Sequence, residues 1–96
     1  MASPLSIGIT ASIIAVVNKK RDIIRFQNTS AAAIVYIKKI PLTGTTTTVS
    51  ATDYDVMLTG NTVEGGEVFE TNSIASFMAI ASVAATPLSV YETSKV

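Results

Sequence analysis

The chain contains no cysteine, no histidine and no tryptophan. Without cysteine, neither a disulfide framework nor a thiolate metal site can form, and the redox compartment cannot be read from the sequence. Without histidine, the commonest general base and the commonest transition-metal ligand are missing, which removes most routes to catalysis at neutral pH. Tryptophan would be the best ring for stacking on a sugar, and it is absent too. Serine and threonine are plentiful, but no histidine can activate them and no Ser-Lys motif is recognisable. The five glycines form neither a G-x-G-x-x-G pattern nor a P-loop, so nucleotide binding has no support. These absences point to a protein that is not an enzyme and uses no cofactor.

Charge is also scarce. Only 15% of the 96 residues are charged, against 48% hydrophobic. That balance excludes the disordered class, whose hydrophobicity is low and whose net charge is high. A single domain of this size leaves much of its surface exposed, and this much apolar material exceeds what one copy comfortably buries. The surplus predicts a surface covered by another subunit, and so a homo-oligomer, with a trimer as the expected form.

The 13 residues from Leu5 to Val17, followed by Asn18-Lys19-Lys20-Arg21, imitate a short membrane anchor with a basic stop. The run includes Ser6, Gly8, Thr10 and Ser12, and it falls well short of the roughly 20 apolar residues that a spanning helix needs. No basic region precedes it, which argues against a signal peptide. It reads as strand, and no membrane partner is expected. Residues 1–20 are taken as an N-terminal strand, or an arm laid on a neighbouring subunit, and residues 21–96 as the body of one domain.

Prolines at 4, 41 and 87, the Gly65-Gly66 pair and several Ser/Thr/Asn clusters cut the chain into short pieces, none a convincing helix. Ile13 to Val17 and Ile23 to Phe26 are rich in β-branched residues and are expected to form a hairpin across the polar segment Asn18 to Asp22. Gln27 to Ser30 reads as a loop, and Ala33 to Ile40 as a strand ended by Pro41. The Thr43 to Thr48 run suits an exposed loop better than a polar edge strand. Tyr54 to Leu58, Ile74 to Val83 and Leu88 to Tyr91 are further strands, and Gly65-Gly66 suits a tight hairpin turn between Val63 and Val68. The fold class expected is all-β, a small β-sandwich or barrel of seven to eight short antiparallel strands. Two strands are apolar on both faces: Ile34 and Tyr36 oppose Val35 and Ile37, and Ile74, Met78 and Ile80 oppose Phe77, Ala79 and Val83. A two-layer sandwich needs one apolar face per strand, so the second face either meets a neighbour or lies at the centre of a closed domain.

Net charge is zero, but its distribution along the chain is lopsided. Residues 1–48 hold Lys19, Lys20, Arg21, Arg25, Lys38 and Lys39 against Asp22, a net of +5, and residues 49–96 hold Lys95 against Asp53, Asp55, Glu64, Glu67, Glu70 and Glu92, a net of −5. Either basic and acidic strands lie across from each other as ordinary ion pairs, or the molecule has a basic and an acidic side that dock subunits head to tail or seat the protein on an acidic lattice. Lys19, Lys20 and Arg21, reaching outward from a turn, with Arg25 on the strand that leaves it, are the candidate partner-binding residues. The same cluster with Phe26 and Tyr36 is too weak a signal for a nucleic-acid partner.

Asp53 and Asp55 offer two carboxylates, and Glu64, Glu67 and Glu70 recur every three residues. Calcium needs about six oxygen ligands, and the Asp-x-Asp loop does not continue in the required way, so no metal is expected. Paired carboxylates serve glycosidases, but the chain has no aromatic platform and is too short for a deep cleft.

The order of the pieces is Ile23-Ile24-Arg25-Phe26-Gln27-Asn28-Thr29-Ser30, then Ile34-Val35-Tyr36-Ile37, Gly66-Glu67-Val68-Phe69-Glu70, Ala79-Ile80-Ala81-Ser82 and Leu88-Ser89-Val90-Tyr91-Glu92. Over residues 21–93 it resembles the small β-sandwich structural proteins of tailed bacteriophage virions. The departure is the middle, where Lys38-Lys39-Ile40-Pro41 and the threonine run replace a Gly-rich loop. The resemblance implies a virion component of the capsid-decoration, head-fibre or tail-adaptor type, oligomeric and bound to a capsid or other virion protein. The alternative is a receptor- or glycan-binding module on a phage tail or fibre, which would expose aromatics drawn from Phe26, Tyr36, Tyr54, Phe69, Phe77 and Tyr91.

Overall fold

β-branched and aromatic residues in period-two alternation fit a pleated surface that is buried on one side. In a computed structural model, which describes residues 2–40, 48–61 and 66–95, that alternation gives eight strands. They are β1 (Ala2–Ile7), β2 (Ser12–Ala15), β3 (Arg21–Asn28), β4 (Ile34–Ile40), β5 (Val56–Thr59), β6 (Val68–Thr71), β7 (Ser76–Ala81) and β8 (Thr86–Ser94). All pair antiparallel, in two four-stranded sheets of order β1-β8-β3-β6 and β2-β7-β4-β5. The fold is the expected all-β class, a small two-layer sandwich.

The core lies between the sheets. From β3 come Ile24 and Phe26, from β4 Val35 and Ile37, from β7 Phe77 and Ala79, and from β8 Leu88 and Val90. Phe26 is fully buried, meeting Phe77 edge-on at 5.2 Å and lying parallel to Phe69 at 6.4 Å. Both geometries suit the quadrupoles of the rings. Ile7 of β1 is buried in the same cluster, and Ile14 and Ala15 of β2 pack against it.

The chain changes sheet at almost every connection, and only β4 and β5 are joined as neighbours. This corrects the expected hairpin of Ile13–Val17 with Ile23–Phe26. β2 spends its backbone bonds on β7, and β3 on β6 and β8, so the segment between them crosses from one sheet to the other. The N-terminal run likewise is not one strand but two, β1 and β2, one in each sheet.

Gln27 and Asn28 were expected in a loop and instead complete β3. Asn28 is buried with its amide bonded to backbone at the end of the β4–β5 pair and in the β3–β4 turn. It donates to the carbonyls of Ala33 (2.7 Å) and Leu58 (2.8 Å), and its oxygen accepts from the Ser30 N–H (2.9 Å). A net hydrogen bond contributes about 0.5–1.5 kcal/mol, so the three bonds of this one side chain tie the β3–β4 turn to the end of β5. Pro87, expected in a loop, lies within β8 opposite Ser6. The expected strand end at Pro41, the loop over Thr43–Thr47 and the Val63–Gly65 part of the glycine turn lie outside the described residues. Gly66 has φ of 83°, and a Cβ there would overlap the Asn28 carbonyl oxygen, so glycine is required on both counts.

Glu67 joins the layers beside Gly66. Its N–H donates to the Thr59 carbonyl, its carbonyl accepts from the Asn28 N–H, and its carboxylate accepts from the Thr59 hydroxyl (2.6 Å) and N–H (2.8 Å). Those two bonds, the hydroxyl first, hold the Glu67 pKa below its ordinary value. A depressed carboxyl pKa contributes stability above the unfolded value, and that contribution is lost as pH falls through the folded value. Thr59→Val should raise the Glu67 titration midpoint followed by carboxyl-carbon NMR. A midpoint unmoved by the substitution would show that the hydroxyl is not the cause.

Candidate interaction surface

Alternation along each strand leaves every second side chain on an outer face, and the two outer faces differ in chemistry. On the β1-β8-β3-β6 sheet, Arg25 lies between Glu70 (3.7 Å) and the ring of Tyr91 (5.6 Å to the centroid), both its cross-strand partners. Gln27 and Ser89 are paired beside it. On the β2-β7-β4-β5 sheet the corresponding positions are mostly apolar, with Lys38 of β4, opposite Met78, the charged exception. Ile13 stands opposite Met78, Tyr36 lies between Ile80 and Met57, and Tyr54 leans on Tyr36 at a centroid distance of 5.0 Å. Ile34, Tyr36, Met78 and Ile80 are half-buried, and Ile13 and Met57 are exposed. The two-faced apolar strands of the sequence therefore put one face in the core and the other on this outer surface.

The surface extends along β2 and its flanks, where Ile9 (63%), Ile13 (59%), Val16 (68%) and Val17 are exposed. Ile14 and Ala15 turn inward to the core, and a register shift between Ile13 and Ala15 marks an irregularity in the ladder. Val83 adds an exposed side chain near the end of β7, where the Ala81 N–H reaches the Gly8 carbonyl. Covering the exposed parts of Ile9, Ile13, Val16 and Val17 would be worth on the order of 5 kcal/mol, taking about 1.5–3 kcal/mol for a full side chain. Pattern reading alone did not single out these residues or Met57. The available signal was the lack of any charged residue in positions 1–18.

The basic cluster divides. Lys19 and Lys20 are exposed, as a turn would place them. Arg21 does not reach outward: only 1% of it is exposed. It is held inside because its guanidinium answers carbonyls that the sheet change leaves unpaired. It donates to Ser73 (2.9 Å), Ala75 (2.8 Å) and Val16 (2.8 Å), and its Nε pairs with Glu92. Asn18 donates to the same carboxylate at 3.2 Å. Arg25 is half exposed and engaged within its own sheet, as above.

The three ion pairs among the described residues are Arg21–Glu92, Arg25–Glu70 and Lys38–Asp53. Each joins a base from the first half of the chain to an acid from the second. Folding thus turns much of the sequence asymmetry into cross-strand and inter-loop pairs, the first of the two arrangements the sequence allowed. Asp53 and Asp55 lie before β5 rather than on a strand, and the Asp55 carboxylate accepts from the Lys39 N–H (2.8 Å). Glu67 and Glu70 are exposed, and Glu64 lies outside the described residues. Among the described residues no cluster of acidic groups could hold a metal ion.

A cleft of about 370 Å³ opens between the sheets, lined by Ile37, Val56, Phe69 and Phe77 with Lys39 and Asp55. Its two hydroxyls, Thr71 and Ser73, accept from the N–H groups of Ser73 and Ala75, and its size is at the lower end for ligand sites. Comparison of the chain with protein-family models, with curated proteins and with solved structures yields no match. The fold and surface define a small antiparallel β-sandwich with one outer face mainly polar, though it carries exposed Val68, and the other mainly apolar, though it carries Lys38.

Replacing Arg21 should be costly, and replacing its neighbours should not. Arg21→Ser strands three carbonyls and takes from Glu92 one of its two side-chain donors, and it should lower unfolding free energy by on the order of 3 kcal/mol in a denaturant titration. Lys19→Ser with Lys20→Ser should change it by under about 0.5 kcal/mol. Equal effects of the two variants would contradict the assignment of Arg21 to the interior.

Proposed function

We infer that the chain is a non-catalytic structural subunit of a virus particle, a homo-oligomer of three copies that decorates the capsid or another head-associated surface. The observation that carries the reading is the apolar outer face of the β2-β7-β4-β5 sheet together with the exposed strip on β2. A water-facing sheet ordinarily alternates to polar residues, as the opposite sheet does, and a contiguous apolar patch marks a surface that a partner covers. The likeness of residues 21–93 to phage β-sandwich proteins supplies the setting. Exposed Lys19 and Lys20 remain the charged contacts available to an acidic partner. A second reading, a glycan- or receptor-binding module, draws on the Tyr36–Tyr54 pair, because Tyr54 is an exposed ring on that face. A glycan array separates the two.

Light scattering of the purified chain should give three copies of 10.0 kDa, about 30 kDa, at micromolar concentration. Labelled protein should appear on the outer shell of purified particles in an electron-microscopy map. A monodisperse single copy would overturn the oligomeric reading.

A further inference from the structure

We propose that the cleft between the sheets binds a free α-amino acid with an apolar side chain, a function that does not rest on the oligomeric reading above. The cleft lies where β5 and β6, outside strands of the two sheets, face each other. At one end of that pair the layers are tied together, since the Glu67 carboxylate accepts from the Thr59 hydroxyl and N–H. At the other end, beside Val56 and Thr71, the cleft opens. Its floor is hydrocarbon: Ile37 and Phe77 are buried on the inner face, and Val56 and Phe69 flank them half-buried. A volume of about 370 Å³ is at the small end of ligand cavities and ample for one apolar side chain.

The mouth carries one charge of each sign, and the two do not pair with each other. Alternation after Val35 and Ile37 turns Lys39 to the inner side of β4, opposite Phe77, and it is exposed where it lines the cleft. It takes part in none of the three ion pairs among the described residues, and neither does Asp55. Asp55 is nonetheless held in place. Its carboxylate accepts from the Lys39 N–H (2.8 Å), and its own N–H donates to the Ile37 carbonyl (2.9 Å). Across the cleft the Thr71 and Ser73 hydroxyls accept from backbone N–H groups, which leaves their O–H protons for a ligand. Arg21 fixes that lip by donating to the Ser73 carbonyl. An anion alone would gain Lys39 but face Asp55, and a cation alone would gain Asp55 but face Lys39. A zwitterion answers both: its carboxylate goes to Lys39, its ammonium to Asp55, and the apolar side chain on the same carbon enters the floor.

The test is a titration of the full chain followed by NMR of the Ile37 and Val56 methyls and the Phe69 and Phe77 rings. The ligands are norleucine, norvaline and two compounds that each lack one of norleucine's charges, hexanoate and pentylamine. Norleucine should shift those signals in the millimolar range, binding about fourfold more tightly than norvaline, which has one methylene fewer to bury. It should outbind hexanoate and pentylamine by as much as about fivefold each, the worth of a partly exposed ion pair. Lys39→Met should erase its advantage over pentylamine, and Asp55→Asn its advantage over hexanoate. Both side chains are exposed and the asparagine oxygen still accepts the Lys39 N–H, so both variants should keep the parent spectrum away from the cleft. No shift of these signals with any of the four compounds at tens of millimolar overturns the site. Hexanoate or pentylamine binding as tightly as norleucine overturns the zwitterion. Advantages that survive Lys39→Met and Asp55→Asn overturn the roles given to those two side chains.

Discussion

Arg21 places a full charge where a sandwich this thin otherwise has hydrocarbon, and the geometry at that end of the molecule follows from it. The chain leaves β2 in one sheet and enters β3 in the other, which strips the connecting backbone of ladder partners. Buried carbonyls need donors, and a guanidinium carries five N–H groups in one plane. Arg21 therefore gathers Val16, Ser73, Ala75 and Glu92, drawing the β2–β3 and β6–β7 connections and β8 onto the first residue of β3. Asn28 does the neutral equivalent at the last residue of the same strand. β3 is thus pinned at both ends by polar side chains, and between them Ile24 and Phe26 enter the core. A lysine in place of Arg21 could not reproduce the planar fork.

The strands themselves were legible because their signal is local. Val35 and Ile37, Phe77 and Ala79, and Leu88 and Val90 alternate with period two, and each pair faces the core as that period requires. Partner choice was not legible, because it depends on which sheet a segment joins. Ile13–Val17 and Ile23–Phe26 look like a hairpin on any local criterion, yet no local criterion reports that β7 and β8 compete for them from the far end of the chain. The same limit explains Arg21 and Asn28. In a run of Asn18, Lys19, Lys20 and Arg21, nothing distinguishes the member that carbonyls more than fifty residues away will claim. The apolar outer face was half legible: two-sided apolar strands were evident, but the exposed positions on β2 became a surface only when the sheet order put β2 at an edge.

The two outer faces show how a short sequence with few charges distributes them. Arg25, Glu70 and Tyr91 keep one sheet wetted, and Lys38 with Asp53 ties the turn before β5 to β4. Surface pairs of this sort add only about 0 to 1 kcal/mol each to stability, so their effect lies more in which surfaces stay soluble than in holding the fold. The other sheet has almost no charge to spare, and its exposed isoleucine, valine and methionine side chains are costly to leave in water. Under the proposed reading, that surface packs against copies of the chain.

The claim at the centre of this account is that the apolar strip on β2, at the edge of the β2-β7-β4-β5 sheet, is covered by a neighbouring copy. Backbone amide hydrogen exchange on the unmodified chain, compared between assembled and highly diluted samples, measures it residue by residue. The account predicts that amides of β2 and its flanks are protected in the assembled sample and lose that protection on dilution, while those of β1 and β6 do not change. Amides of β2 that exchange at the same rate in both samples would contradict it.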